Sequence, residues 1–375
     1  MKILIATGIY PPDIGGPAQI ARGVEQALIR AGHRVKVLAF RFERKLPTVI
    51  RHVYYFLRVL FSLRGADFVF SPDTFSAALP ALFAAKLAGK RFIVRTGGDF
   101  LWESYVERTG DLVLLRNFYK KMATPPSSSP LKRGGGRGGV RLNLKERIIF
   151  RLLRFLLRHT DAVIFSTAWQ RDIFRAPYKL DLSRCFVVEN FYGPKVPQIQ
   201  HTDKLDPEYQ SKARYGAGNV GVFKKVFVGG VRDLKWKNMP RLKEAFDAVQ
   251  EKGIPVALNW ETGSRGKFLL DIESAYAVII ASLGDISPNT ILEAIAFDKP
   301  FILTRECGFY EKLKGIGVWV DPEDVNDIAA KIGWLADEEN YRAQKKKVQA
   351  FNFTHSYEEV AEELITIYRN IDARA

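Results

Sequence analysis

The sequence predicts an α/β protein made of two doubly wound, Rossmann-like parallel-sheet domains facing across a cleft. Three observations carry that reading. Short apolar strands alternate with longer stretches whose apolar residues recur at about a 3.6-residue period, the sign of a parallel sheet wrapped by helices. The alternation starts afresh at "KKVFVGG" (224–230). A chain of 375 residues is also long enough for two domains of ordinary size and too long for one core.

The first domain is assigned to residues 1–195, with strands at "KILIAT", "RVKVLAF", "DFVFSP", "RFIVRT" and "AVIFST". The opening "MKILIATGIYPP" reads as the first buried strand, because Pro11 and Pro12 arrive before a signal-peptide apolar region is complete. Residues 124–141, "TPPSSSPLKRGGGRGGVR", combine Pro, Ser, Gly and basic residues without apolar periodicity and read as a disordered surface insertion. The polar, Pro-bearing "NFYGPKVPQIQHTDKLDPEYQ" reads as a linker. The second domain, 196–355, continues through "PVALNW", "YAVIIAS", "PFILTR" and "GVWVD". Only 15 residues separate "PVALNW" from "YAVIIAS". Residues 356–375 should form a closing helix that packs back toward the first domain.

A formal net charge of +16 points to an anionic partner: nucleic acid, an acidic membrane surface or a phosphorylated small molecule. The insertion contributes Lys132, Arg133, Arg137 and Arg141 and no acid, and taking those four away still leaves +12. Cys185 and Cys307 stand alone, without a C-x-x-C partner or a His at ligand spacing, which argues against a disulfide framework or a zinc site and fits a cytoplasmic location. Arg58, Pro80 and Lys86 interrupt the longest apolar runs, so no membrane span is expected.

The candidate site centres on "GDISPNTILEAIAFDKP". Ser287 suits a helix N-cap and Pro288 the first helical position, where its missing N–H is not needed. The free amides near Asn289 and Thr290 would then point to the carboxyl end of "YAVIIAS", where an open α/β sheet binds ligands. Glu293 stands five residues beyond Pro288, about 8 Å along the helix. A nucleoside diphosphate could rest its phosphates on the helix start and its ribose on Glu293, with Asp285 facing the group beyond the second phosphate. The plainer alternative makes Asp285 an extra cap and Glu293 a solvated helix residue. In "GGVRDLKWK" (229–237), Arg232 and Lys237 lie on another loop at the carboxyl edge of that sheet, where cations could neutralise a diphosphate. In the first domain, Gly15 and Gly16 sit between strand and helix, where absent side chains let backbone approach a ligand.

Taken in order, "PPDIGGPAQIARGVEQALIRAGHRVKVL", "AVIFSTAWQRDIF", "VVENFY", "FVGGVRDLKWKN", the acid pair and "FTHSYEEVAEELITIY" resemble a retaining glycosyltransferase of family 4, which has the two-domain GT-B fold. The resemblance covers nearly the whole chain outside 124–141. The acids match the family's E-x7-E motif, with Asp285 in place of the first Glu, and members usually fit another strand and helix where this chain has only residues 261–275, so the resemblance implies a trimmed donor domain. By that resemblance Glu293 would hold the donor ribose and Asp285 the donor-sugar hydroxyls. Arg232 and Lys237 would bind the pyrophosphate, and Ser287, Asn289, Thr290, Gly15 and Gly16 would complete the donor site. "GGDFLWE" (97–103) resembles a G-D-x-x-W-E stretch of some members, which makes Asp99, Trp102 and Glu103 acceptor-side candidates; the alternative is a polar loop with Trp102 packed as core.

The resemblance implies transfer of a sugar from a nucleotide-diphosphate-sugar to a hydroxyl of a glycan or lipid-linked acceptor. Asp285, Arg232, Lys237 and Asp99 are the catalytic candidates, and no cofactor is called for. No D-x-D occurs, so catalysis without a metal is expected. Two basic, apolar helices, "KERIIFRLLRFLLRHTD" (145–161) and "VIRHVYYFLRVLFSLR" (49–64), could lie on an anionic bilayer, which would put the protein on the inner face of the cytoplasmic membrane. The rival from another class is a nucleic-acid-binding protein on a GT-B-like body, opposed by the lack of any nucleic-acid module. A third reading is a sugar-nucleotide epimerase or a degenerate, non-catalytic GT-B protein.

Overall fold

The computed structural model describes residues 1–13, 16–123, 139–193, 225–229, 234–260 and 264–373. Most of the expected insertion and of the linker therefore lies outside the described residues, as do Gly15 and Arg232. The chain divides into two compact units, one of residues 1–102, 118–191 and 355–375, the other of 103–117 and 192–354.

The first unit holds a six-stranded parallel sheet in the order β2-β1-β3-β4-β5-β6. Its strands are β1 (Lys2–Thr7), β2 (Arg34–Ala39), β3 (Phe68–Ser71), β4 (Arg91–Thr96), β5 (Ala162–Phe165) and β6 (Cys185–Val187). β3 and β5 are buried at every position, which is why neither alternates apolar with exposed polar residues. Ile3, Ile5, Phe68, Phe70 and Ile93 face the helices Gly16–Arg30 and Tyr357–Asp372 across one core. The latter helix starts at a capping box, Ser356 with Glu359, and buries Val360, Ala361, Leu364, Ile365, Ile367 and Ile371 in this unit.

The second unit holds a five-stranded parallel sheet, order β11-β10-β9-β7-β8, from β7 (Lys225–Val228), β8 (Val256–Asn259), β9 (Ala277–Ile280), β10 (Phe301–Thr304) and β11 (Val318–Val320). Alternate residues supply its two cores. Ala277, Ile279 and Ile302 pack with the helices Met239–Glu251 and Val325–Ala336. Val278, Ile280, Phe301 and Leu303 pack with the helix Asn289–Ala296. Each strand expected from the pattern is present, and β6, short and half-buried throughout, is an addition that its pattern did not announce. Among the described residues no helix is long and apolar enough to cross a membrane.

Candidate active site

Asp285 lies beyond the carboxyl end of β9, after Ala281, Ser282, Leu283 and Gly284, all buried. Its backbone is stitched to the loop that follows β10: its amide donates to the Glu306 carbonyl at 2.8 Å, and its own carbonyl accepts from Gly308 at 3.0 Å. The loop after β7 is anchored to the same edge. Leu283 donates to the Trp236 carbonyl at 2.9 Å, and the buried Asn238 side chain donates to the carbonyls of Ala281 (3.0 Å) and Pro322 (2.7 Å). Asn238 holds a left-handed backbone, φ 64°, which Asn tolerates better than most residues. These bonds fix Lys237 one residue earlier.

Lys237 was expected to meet a diphosphate and Asp285 a sugar, yet the structure joins them directly. Lys237 Nζ stands 3.1 Å from Asp285 Oδ2, with side chains only 15% and 13% exposed, so solvent screens the pair little. The ammonium also lies 4.2 Å from the centre of the Trp236 ring, a cation–π contact that holds it in place. An ammonium has three donors and a carboxylate two oxygens, so each partner keeps capacity for a ligand.

The helix start departs from expectation. The helix spans Asn289–Ala296, Pro288 occupies the N-cap with ψ 80°, and no side chain caps it, so Ser287 is not the cap and Pro288 is not the first helical residue. The Asn289 amide donates to the Ser287 carbonyl at 2.9 Å. With Pro288 at φ −73° and ψ 80°, this is an inverse γ-turn, which consumes one of the two amides expected to cradle phosphate. Thr290, one residue further, lies in the first turn, where amides lack helical acceptors. Glu293, half-buried, follows on the same short helix.

A second ion pair borders this edge and was not expected. Arg116 grips Glu306 with both arms of its fork, Nε to Oε2 at 2.7 Å and an η nitrogen to Oε1 at 2.6 Å. Glu306 is 6% exposed, and burial pushes its carboxyl above the usual range although Arg116 pulls it down. The partners are 190 positions apart, and no spacing pattern could have joined them.

In the first unit Asp99 is buried, 3% exposed. One oxygen caps the helix Phe100–Thr109 by accepting from the Trp102 amide at 3.0 Å, and the other accepts from the Tyr119 hydroxyl at 2.7 Å. Tyr119 in turn meets the Tyr178 hydroxyl at 2.8 Å. Burial lifts the Asp99 carboxyl to about 6, against the hydrogen bonds that favour its charge. Asp99 lines a cavity of about 20 Å³ with Thr74, Thr96, Phe174 and Tyr178, enough for about one water. Trp102 is core, 2% exposed, as the plainer alternative had it, and Glu103 is half-buried on the same helix.

Gly16 opens its helix, and an added Cβ there would meet nothing within 4 Å. Gly8, just beyond β1, is a glycine that the fold does demand. A Cβ there would stand 2.0 Å from Asp73 Oδ2, and Asp73 is held by the amides of Phe75, Ala77, Ala78 and Gly8 itself. Among the described residues no group of three or more His, Cys, Asp or Glu converges as a metal site would.

No protein-family model matches the sequence, and no curated protein matches it. Solved structures do. Sucrose-phosphate synthase from Thermosynechococcus elongatus superposes with a TM-score of 0.64 at 13% identity, over 100% of this chain and 99% of that one. The catalytic domain of starch synthase IV from Arabidopsis thaliana, bound to ADP and acarbose, gives 0.64, also at 13% identity and with the same coverage. HepE from Anabaena, in complex with UDP-glucose, gives 0.56 at 14% identity, over 100% of this chain and 99% of that one. The chain has the GT-B fold. In the GT-B frame the six-stranded unit is built from the N-terminal part of the sequence with the closing helix, and the five-stranded unit carries the Lys237–Asp285 pair and Glu293.

Proposed function

We propose that the chain is a retaining, family 4-type glycosyltransferase that moves a sugar from a nucleotide-diphosphate-sugar to a hydroxyl of a glycan or lipid-linked acceptor in cell-surface glycan assembly. The observation that carries the reading is the Lys237–Asp285 pair at the carboxyl edge of the five-stranded sheet, followed eight residues later by Glu293 on the next helix. As the bond from sugar to phosphate breaks, negative charge grows on the leaving diphosphate. Lys237, with Arg232 five residues before it in the sequence and the Thr290 amide, would meet that growing charge and stabilise the transition state more than the ground state. Asp285 would turn its second oxygen to a sugar hydroxyl, and Glu293 would hold the ribose. No side chain need attack carbon, and the departing phosphate can accept the proton of the acceptor hydroxyl. Catalysis needs no metal in this reading, because cations of the chain take the metal's place.

A panel of UDP-, GDP-, ADP- and TDP-sugars screened by thermal shift tests it, since a ligand selective for the native state raises stability. At least one sugar nucleotide should raise the melting temperature, and Glu293→Ala should diminish that rise. A panel that leaves the melting curve unmoved would sink the proposal. Product analysis with the acceptor omitted then separates transfer from epimerisation.

A further inference from the structure

Three helices on one side of the six-stranded sheet pack side by side: Thr48–Ser62 on Ala78–Leu87, and Ala78–Leu87 on Leu144–His159. Their inner positions, among them Tyr55, Val59, Leu82, Leu153 and Leu156, are buried in the unit. Their outer positions are also apolar. Val53, Leu57 and Phe61 fall on one helical stripe, exposed by 54%, 40% and 79%. Phe83 and Leu87 continue it on the next helix, and Leu87 is 70% exposed. Phe83 stacks on Phe155 of the third helix with ring centres 5.6 Å apart, so the apolar surface runs on from the second helix to the third. A soluble monomer seldom leaves so large an apolar patch uncovered.

The charge on the same three helices is one-sided. They contain eight Lys and Arg and a single carboxylate, Glu146, which is buried in the capping box with Asn143. Arg58 is matched by the buried Glu43, and Lys86 by Asp161. Lys145, Arg147, Arg151 and Arg158 are exposed, and among the described residues none of them is ion-paired. Apolar side chains therefore stand among uncompensated cations over a single face.

From this juxtaposition we propose that the outer face of these three helices docks on an anionic lipid bilayer. The apolar side chains enter the boundary between headgroups and acyl chains, and the arginines stay at headgroup depth against lipid phosphates. A second copy of the chain is a poorer occupant, because two such faces would bring like charges together. A nucleic acid would use the cations but has no place for Val, Leu and aliphatic knobs. The inference does not depend on the glycosyl-transfer reading, and its failure would leave that reading untouched.

Co-sedimentation of the full chain with phosphatidylcholine vesicles, with and without phosphatidylglycerol, tests it. The protein should pellet with the phosphatidylglycerol-containing vesicles and stay in solution with phosphatidylcholine alone. Combined Val53→Ser, Phe61→Ser and Leu87→Ser should lower the partition coefficient by about tenfold or more, with an unchanged melting temperature because these positions are exposed. Arg151→Glu with Arg158→Glu, which leaves the apolar stripe intact, should remove the preference for phosphatidylglycerol and keeps the test decisive if the serine variant folds poorly. The proposal is overturned if the wild type ignores anionic vesicles, if both variants sediment with them as the wild type does, or if light scattering shows a dimer that the serine variant dissociates and that binds no vesicles.

Discussion

Replacing Asp99 with Asn tests how a buried carboxylate behaves at the head of the helix Phe100–Thr109. Burial raises its pKa from 3.8 to about 6, so the folded state holds the proton more tightly than the unfolded chain does. The stability it contributes is therefore complete below the unfolded value and is lost as pH rises through the folded one. A shift of about two units at about 1.36 kcal/mol each is a total swing of about 3 kcal/mol, of which about 1.5 kcal/mol falls between about pH 5 and about pH 7.5. Asn keeps the bond from the Trp102 amide and turns its amide toward Tyr119, whose hydroxyl can then donate to Tyr178. The variant should lose less stability over that interval than the wild type, by the same ~1.5 kcal/mol. Hydrogen exchange at the β4 amides, measured at both pH values, reports the opening of this unit alone. Parallel pH profiles for wild type and variant would refute the reasoning.

Three further predictions concern the five-stranded unit. Asn238→Ala removes two bonds from buried carbonyls and puts a Cβ-bearing residue without a polar side chain at φ 64°, so it should destabilise by about 2–4 kcal/mol in urea unfolding, and Asn238→Gly should recover about 1 kcal/mol of that. Lys237→Ala should weaken binding of whichever sugar nucleotide the panel identifies by about tenfold in calorimetry, the loss of one charge-assisted hydrogen bond; unchanged affinity would remove Lys237 from the donor site. Arg116→Ala strands the Glu306 carboxylate and should cost about 2–3 kcal/mol at neutral pH, below the range for a fully buried pair because Arg116 is 44% exposed. Without Arg116 the Glu306 carboxyl rises further, so thermal melts should show the gap to wild type narrowing as pH falls.

The sheets were legible in the sequence because both are buried on two faces, and runs such as AVIF and AVII have no polar position to blur them. β6 was not, because CFV is short and half-exposed. The sequence singled out Lys237 and Asp285 as separate candidates but not that they would bind each other, since their meeting depends on how two loops end. The helix start was misread for a local reason: Pro288 takes ψ 80° and closes a turn on Ser287 where the sequence suggested a capped first turn. Asp99 stood out in the sequence only through the resemblance of "GGDFLWE", and its burial beneath Tyr119 and Tyr178 comes from residues 20 and 79 positions away in the chain.

The six-stranded unit draws on three separate stretches of chain, and the last of them is the helix Tyr357–Asp372. During synthesis, then, the first sheet waits with one apolar side only partly covered until nearly half the polypeptide has followed it out of the ribosome. Any fragment that ends before residue 357 should stick to chaperones or to itself, and attempts to trade the two halves between proteins of this fold will succeed only if the tail travels with the front.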